Sequence, residues 1–149
     1  MLKYEAIFLD EESINLIHKL ETNKLDRVND EIHLTLKYKP DSNEIFNELI
    51  GQEFELYLIG YGNDGINAGF EVELPNNLKP YYINYDEEDN TKIKIPHITS
   101  SLAIDAKAMN TKNLTFTKLP IRYTVKGKFG FWIEEEDGTE YLSFNKYNQ

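Results

Sequence analysis

At 149 residues, with 40% hydrophobic and 13% aromatic side chains, the chain carries enough apolar material for one core and too much for wholesale disorder. The absence of cysteine removes disulfides, thiol nucleophiles and Cys-based zinc sites together. A formal net charge of −10 opposes long nucleic acid, whose affinity rests on phosphate neutralisation by Lys and Arg. A small anion in a local pocket is not opposed, because the field of distant surface charges is screened over roughly 8–10 Å.

The opening "LKYEAIFL" alternates and is rich in β-formers, which predicts a strand over residues 2 to 9. "DEESINLIHKLE" follows with acidic residues in its first turn and Ile14, Leu16, Ile17 and Leu20 on one side, a short amphipathic helix. "EIHLTLKY" is the next strand. "SNEIFNELIG" then reads as a second helix, capped by Ser42 or Asn43 and stopped at Gly51.

Beyond Gly51 the pattern is strand-rich. "EFELYLIGYG" and "AGFEVELP" flank the turn "NDGIN", "YYINYD" reads as a further strand, and "DEEDNT" is an acidic loop. "KIPHITSSLA" is a strand, and "DAKAMNTKNL" fits a short helix or a loop. "IRYTVKGKFGFWIEEE" and "EYLSFN" close the chain as strands. Helices early and antiparallel hairpins later point to α+β in one domain, residues 1–149, with a coarse duplication into two lobes. The N-terminus lacks the pattern of a signal peptide and no apolar run approaches the roughly 20 residues of a spanning helix, so a cytoplasmic protein without membrane association is expected.

Two short motifs carry chemistry. In a strand, residues two apart share a face, about 6.5–7 Å apart. Ile32, Leu34 and Leu36 therefore share one face of the first strand, and His33, Thr35 and Lys37 the other. In "HITS", Ile98 opposes His97 and Thr99. Two imidazoles and two hydroxyls that converge suit metal-free phosphoryl transfer. A neutral imidazole takes a proton, a protonated one donates to the leaving oxygen, and the hydroxyls bind the non-bridging oxygens.

"HLTL" and "HITS", each on a strand, resemble the paired H-x-T/S signature of the 2H phosphoesterases. That family includes LigT-like 2′-5′ RNA ligases, cyclic phosphodiesterases and phage enzymes that degrade cyclic oligonucleotide signals. The layout of the chain is similar over most of its length, although only the two tetrapeptides are specific. The resemblance implies a bilobal α+β fold, two antiparallel sheets related by a pseudo-twofold axis around a central cleft, with helices outside. It also implies His33 and His97 as catalytic acid and base, His97 being the base in cyclic-phosphate opening, and Thr35 and Thr99 as phosphate ligands. The family prefers an apolar residue after each hydroxyl; Leu36 supplies one, whereas Ser100 departs from the pattern, which marks either a shifted strand or a second hydroxyl near the phosphate.

Lys37 is a candidate phosphate contact from its place on the His33 face. Tyr38, Tyr57, Tyr61 and Trp132 are candidate base-stacking rings. His18, on the first helix, reads as a helix-face residue. The acidic runs at 86–89 and 134–137 read as solvated turns, since neither has calcium-loop spacing. The expected activity is hydrolysis of a small nucleotide phosphoester (a 2′,3′-cyclic phosphate, a 2′-5′ linkage or a cyclic oligonucleotide) by a monomer without metal or cofactor, in a bacterial or phage-infected cell. The alternatives are a phage-type enzyme that degrades immune signals and a cleft that binds a nucleotide without cleaving it.

Overall fold

Strand alternation and a single well-capped helix account for most of the architecture. The computed structural model describes residues 1–148. In chain order, β1 (Leu2–Leu9) leads into α1 (Glu11–Leu20), followed by β2 (Arg27–Val28), β3 (His33–Tyr38), β4 (Glu53–Asn63) and β5 (Asn67–Glu73). The chain continues with β6 (Tyr85–Asp86), β7 (Thr91–Lys92), β8 (His97–Leu102), β9 (Thr117–Glu134) and β10 (Glu140–Ser143). The class is α+β, and the pairings between described strands are antiparallel.

α1 starts where Asp10 accepts from the Ser13 backbone N–H at 2.8 Å, with Glu11 and Glu12 favourably placed near the positive end of the helix. Its apolar side seats Ile17, fully buried, against the sheet. Among the described residues no helix is long and apolar enough to cross a membrane.

Where two sheets were expected, the ladder is continuous. One eight-stranded sheet runs β2-β8-β5-β4-β9-β1-β3, with β10 added to β9, and β6 and β7 form a separate two-stranded ribbon. The cause is β9, whose 18 residues pair with β4, β1 and β10 in succession and bridge what short strands would leave as halves. Sheet twist curls this ladder until β3, at one end, comes into contact with β8, next to the other end. One hydrophobic cluster fills the concave side, including Ile7, Ile17, Leu34, Leu36, Leu56, Phe70, Ile98, Phe129 and Phe131.

Two expected elements differ. The helix over 42–51 is replaced by two 3₁₀ turns, Ser42–Glu44 and Asn47–Leu49. Asp41, not Ser42 or Asn43, caps the first, in a reciprocal box with Glu44. The Phe46 N–H is then diverted to Glu5 Oε1 at 3.0 Å, which takes it out of any helical ladder. Gly51 ends the segment as expected, in the left-handed conformation at φ +84°. The expected strand at 81–86 is a 3₁₀ turn at Lys79–Tyr81 followed by extended chain, with only Tyr85 and Asp86 in a ladder. "DAKAMNTKNL" resolves as a 3₁₀ helix over Ala108–Asn113.

Candidate active site

The two H-x-T strands place their polar faces on one cavity of about 530 Å³, within the range of small-ligand sites. His33, Thr35, His97 and Thr99 all line it. The opposite faces are packed: Ile32, Leu34, Leu36 and Ile98 are at most 1% exposed. Each such side chain is worth about 1.5–3 kcal/mol of burial, so a one-residue slip that turned the histidines inward would lose several kcal/mol.

Each strand also carries a β-bulge immediately after its threonine. In β3, Thr35 faces Ala6 and Lys37 faces Glu5, which leaves Leu36 as the extra residue. In β8, Thr99 faces Gly69 and Ser101 faces Ala68, which leaves Ser100 extra. A bulge resets the alternation of side chains beyond it. Tyr38, paired across from Tyr4, therefore takes the cavity face, and both tyrosines line the cavity. Lys37 is moved off that face, contrary to its expected position in regular register. It sits beside buried Glu5 on β1, with its Nζ 5.1 Å from the centre of the Tyr85 ring. Ser100 is also removed from the cavity: fully buried, it donates to Glu21 Oε2 at 2.7 Å, and the Tyr61 hydroxyl donates to the same oxygen.

Both catalytic-type imidazoles are anchored through Nδ1, which frees Nε2. His97 donates from Nδ1 to the Ile95 carbonyl at 2.9 Å. Burial, chiefly, holds His97 below the ordinary imidazole value; the Ile95 carbonyl opposes this, and His33 and Lys112 add to it. His97 is therefore neutral near pH 7 and suited to accept a proton. His33 donates from Nδ1 to Glu31 Oε2 at 3.1 Å, an ion pair when the ring is protonated. Its ring stacks on Tyr4, centroids 4.8 Å apart and planes 24° apart, and Tyr4 stacks in turn on Trp132 at 6.0 Å. Burial pushes the Tyr4 phenol up and keeps it a hydrogen-bond donor.

Thr99 shares a 2.8 Å hydrogen bond with Thr111, whose oxygen also accepts from Asn67 Nδ2 at 3.1 Å. With Asn67 donating to it, the Thr111 hydroxyl can donate its hydrogen bond to Thr99 Oγ1 and leave the Thr99 O–H free to donate to a ligand. Gly69 makes this contact possible, since a Cβ there would lie 2.2 Å from the Ile98 carbonyl oxygen and 2.7 Å from Thr111 Cγ2. Lys3, Lys107 and Lys112 bring positive charge to the wall of an otherwise acidic protein. Lys112 pairs with Asp86 on β6, and Lys3 with Glu140 at 3.0 Å. Among the described residues no group of three or more His, Asp or Glu side chains is placed to hold a metal ion.

Of the other candidate rings, Trp132 stands behind Tyr4 with its Nε1 donating to Glu140 at 2.8 Å. Tyr61 packs on Phe70, and Arg122 covers Tyr57 at 4.1 Å. His18 donates from Nε2 to the Asn29 carbonyl at 2.9 Å, and Asn29 donates to the carbonyls of Thr99 and Ser100. Its role is to tie α1 and the chain after it to β8.

Glu31, Thr111, Asn67 and Lys112 had no sequence signal of their own. Only Glu31 lay within reach of inference, two residues before His33 and so on the same side of an extended chain. In comparisons with known proteins, no family model and no curated protein matches the chain.

Proposed function

We propose that the chain is a metal-independent phosphodiesterase of the 2H type, acting on a small nucleotide phosphoester between β3 and β8. The observation that carries this reading is the pair of H-x-T motifs on two strands that line one cavity, each with its histidine anchored through Nδ1. The matched bulges after Thr35 and Thr99 support a repeated half-site and the two-lobed symmetry of that family.

For a 2′,3′-cyclic phosphate, His97 Nε2 takes a proton from water as the water oxygen attacks phosphorus. The bond from phosphorus to one ribose oxygen breaks, and that oxygen takes the proton carried by His33 Nε2. Thr35 and Thr99 donate to the non-bridging oxygens, where charge builds up. Water gains a bond to phosphorus and the sugar regains a hydroxyl, so protons balance within the histidine pair.

The test is turnover, with EDTA present, of nucleoside 2′,3′-cyclic phosphates, 2′-5′-linked dinucleotides and cyclic oligonucleotides, with product analysis. Hydrolysis of at least one class is expected, falling by about 10² or more in His33→Ala and in His97→Ala. Abolition by EDTA, or full activity in both variants, overturns the mechanism; tight binding with no product over hours assigns a binding role instead.

A further inference from the structure

Two side chains lining the cavity have no part in the phosphoryl chemistry. Tyr82 and Asn84 are each only 6% exposed, and among the described residues the Tyr82 O–H finds no acceptor and the Asn84 carbonyl oxygen no donor. Buried polar groups are normally paired, so two neighbouring exceptions in a ligand-sized cavity call for a partner from outside the chain. The two groups adjoin: burial pushes the Tyr82 phenol up, and the Asn84 side-chain N–H directed toward the Tyr82 oxygen acts in the opposite sense, which leaves the Tyr82 proton and Asn84 Oδ1 as the unclaimed donor and acceptor. Both are held rigidly by the backbone between and around them. The Ile83 N–H donates to the carbonyl of Leu36, the bulge residue next to Thr35, at 3.1 Å, and the Asn84 carbonyl accepts from Ile93 at 2.9 Å.

We propose that Tyr82 and Asn84 read the hydrogen-bonding edge of a nucleobase. Asn84 Oδ1 accepts from an amino or imino N–H of the base, and the Tyr82 hydroxyl donates to the adjacent ring nitrogen or carbonyl. Every nucleobase presents such a donor and acceptor fixed side by side on one planar edge, whereas a phosphorylated sugar without a base offers only rotatable hydroxyls. The base lies beside the rings of Tyr38 and Tyr85, which line the same cavity, and Lys37 over Tyr85 makes that ring part of a cation–π pair. This rests on the phosphoester reading of the cavity and adds the residues that select a base-bearing nucleotide over phosphorylated sugars or simple aryl phosphoesters.

Equilibrium binding by calorimetry tests it independently of turnover, with the four nucleoside 3′-monophosphates and ribose 5-phosphate as probes. At least one nucleotide is expected to bind roughly tenfold or more tighter than ribose 5-phosphate. Tyr82→Phe and Asn84→Leu are each expected to erase most of that preference and leave ribose 5-phosphate affinity unchanged, which also reports that each variant is folded. Equal affinity for nucleotides and ribose 5-phosphate, or a preference that survives both substitutions, overturns base reading while the phosphate site stands. Binding of neither probe overturns the phosphoester reading together with this one.

Discussion

His97 and His33 have the same motif neighbours but different anchors, and the anchors set what each ring can do. A carbonyl holds His97 in a desolvated place that disfavours its charge, whereas a carboxylate stands ready to pair with the charge of His33. The acid limb of the kcat/KM–pH profile reports the proton acceptor of the free enzyme. With His97 lowered from 6.5, its neutral form survives as pH falls below that value, so the limb is expected below pH 6.5. A limb at or above that value contradicts the assignment of His97 as base. Glu31 is a positioning residue: Glu31→Gln weakens the acceptor that keeps His33 Nε2 toward the cavity. About tenfold is expected to come off kcat with KM little changed, and Glu31→Asp is expected to recover part of it. Kinetics of both variants checks this, because a merely structural loss would not separate kcat from KM or be rescued by Asp.

Among the elements, β3 and β8 were legible from sequence because alternation is a strong signal when one face is fully buried, as with Leu34, Leu36 and Ile98. The bulges were not, because nothing in "HLTLKY" or "HITSSL" distinguishes an extra residue from a regular one until the partner strand is known. The extra residue takes Lys37 off the cavity face and buries Ser100 against Glu21, so of the two readings of Ser100 the irregular strand holds and the phosphate hydroxyl does not. The helix expected over 42–51 failed for another long-range reason, the capture of the Phe46 N–H by Glu5. Ser100→Ala is expected to destabilise the fold by about 1–3 kcal/mol, since it strips a hydrogen bond from the buried Glu21 carboxylate, and to leave KM unchanged. Denaturant titration and steady-state kinetics together check it.

Glu5, on the opposite face of β1 from the cavity, shapes stability in a different way. Burial raises its carboxyl from 4.5 to about 8; the Phe46 N–H opposes the shift, and Glu44 and Glu48 assist it. The folded state therefore retains a proton that the unfolded chain releases, so stability falls as pH rises from about 4.5 to about 8 and is flat beyond. The loss amounts to roughly a few kcal/mol. Glu5→Gln, which keeps an acceptor for Phe46, is expected to flatten that slope and raise stability at pH 8. Denaturation midpoints measured across this range decide it, and an unchanged slope would falsify the claim.

At the scale of the whole molecule, the acidic surface and the curled sheet act together. Three lysines stand on the cavity wall of a chain of net charge −10, but Asp86 and Glu87 stand there too, and Lys3 and Lys112 are paired with Glu140 and Asp86, which leaves Lys107 as the lysine of that wall with no ion pair among the described residues. The α+β class and the β4–β5 hairpin were accessible from sequence because that turn has its own local chemistry at Asp64, which accepts from the Ile66 and Asn67 N–H groups, whereas the two-residue strands β2 and β7 carry no alternation to read. The continuity of the ladder was not, since it depends on β9 serving three partners.

Lys112 has one ammonium and two claimants. It holds Asp86, and with it the β6–β7 ribbon, yet it also faces the cavity where a phosphate would sit. An anion that recruits Lys112 is therefore expected to loosen the ribbon, and by reciprocity a tighter ribbon to weaken the anion. Asp86→Asn releases the lysine and is expected to tighten inorganic phosphate several-fold, while phosphate added to the unaltered protein is expected to speed hydrogen exchange at residues 85–92. The ion pair is thus a competitor built into the wall for any anion bound there.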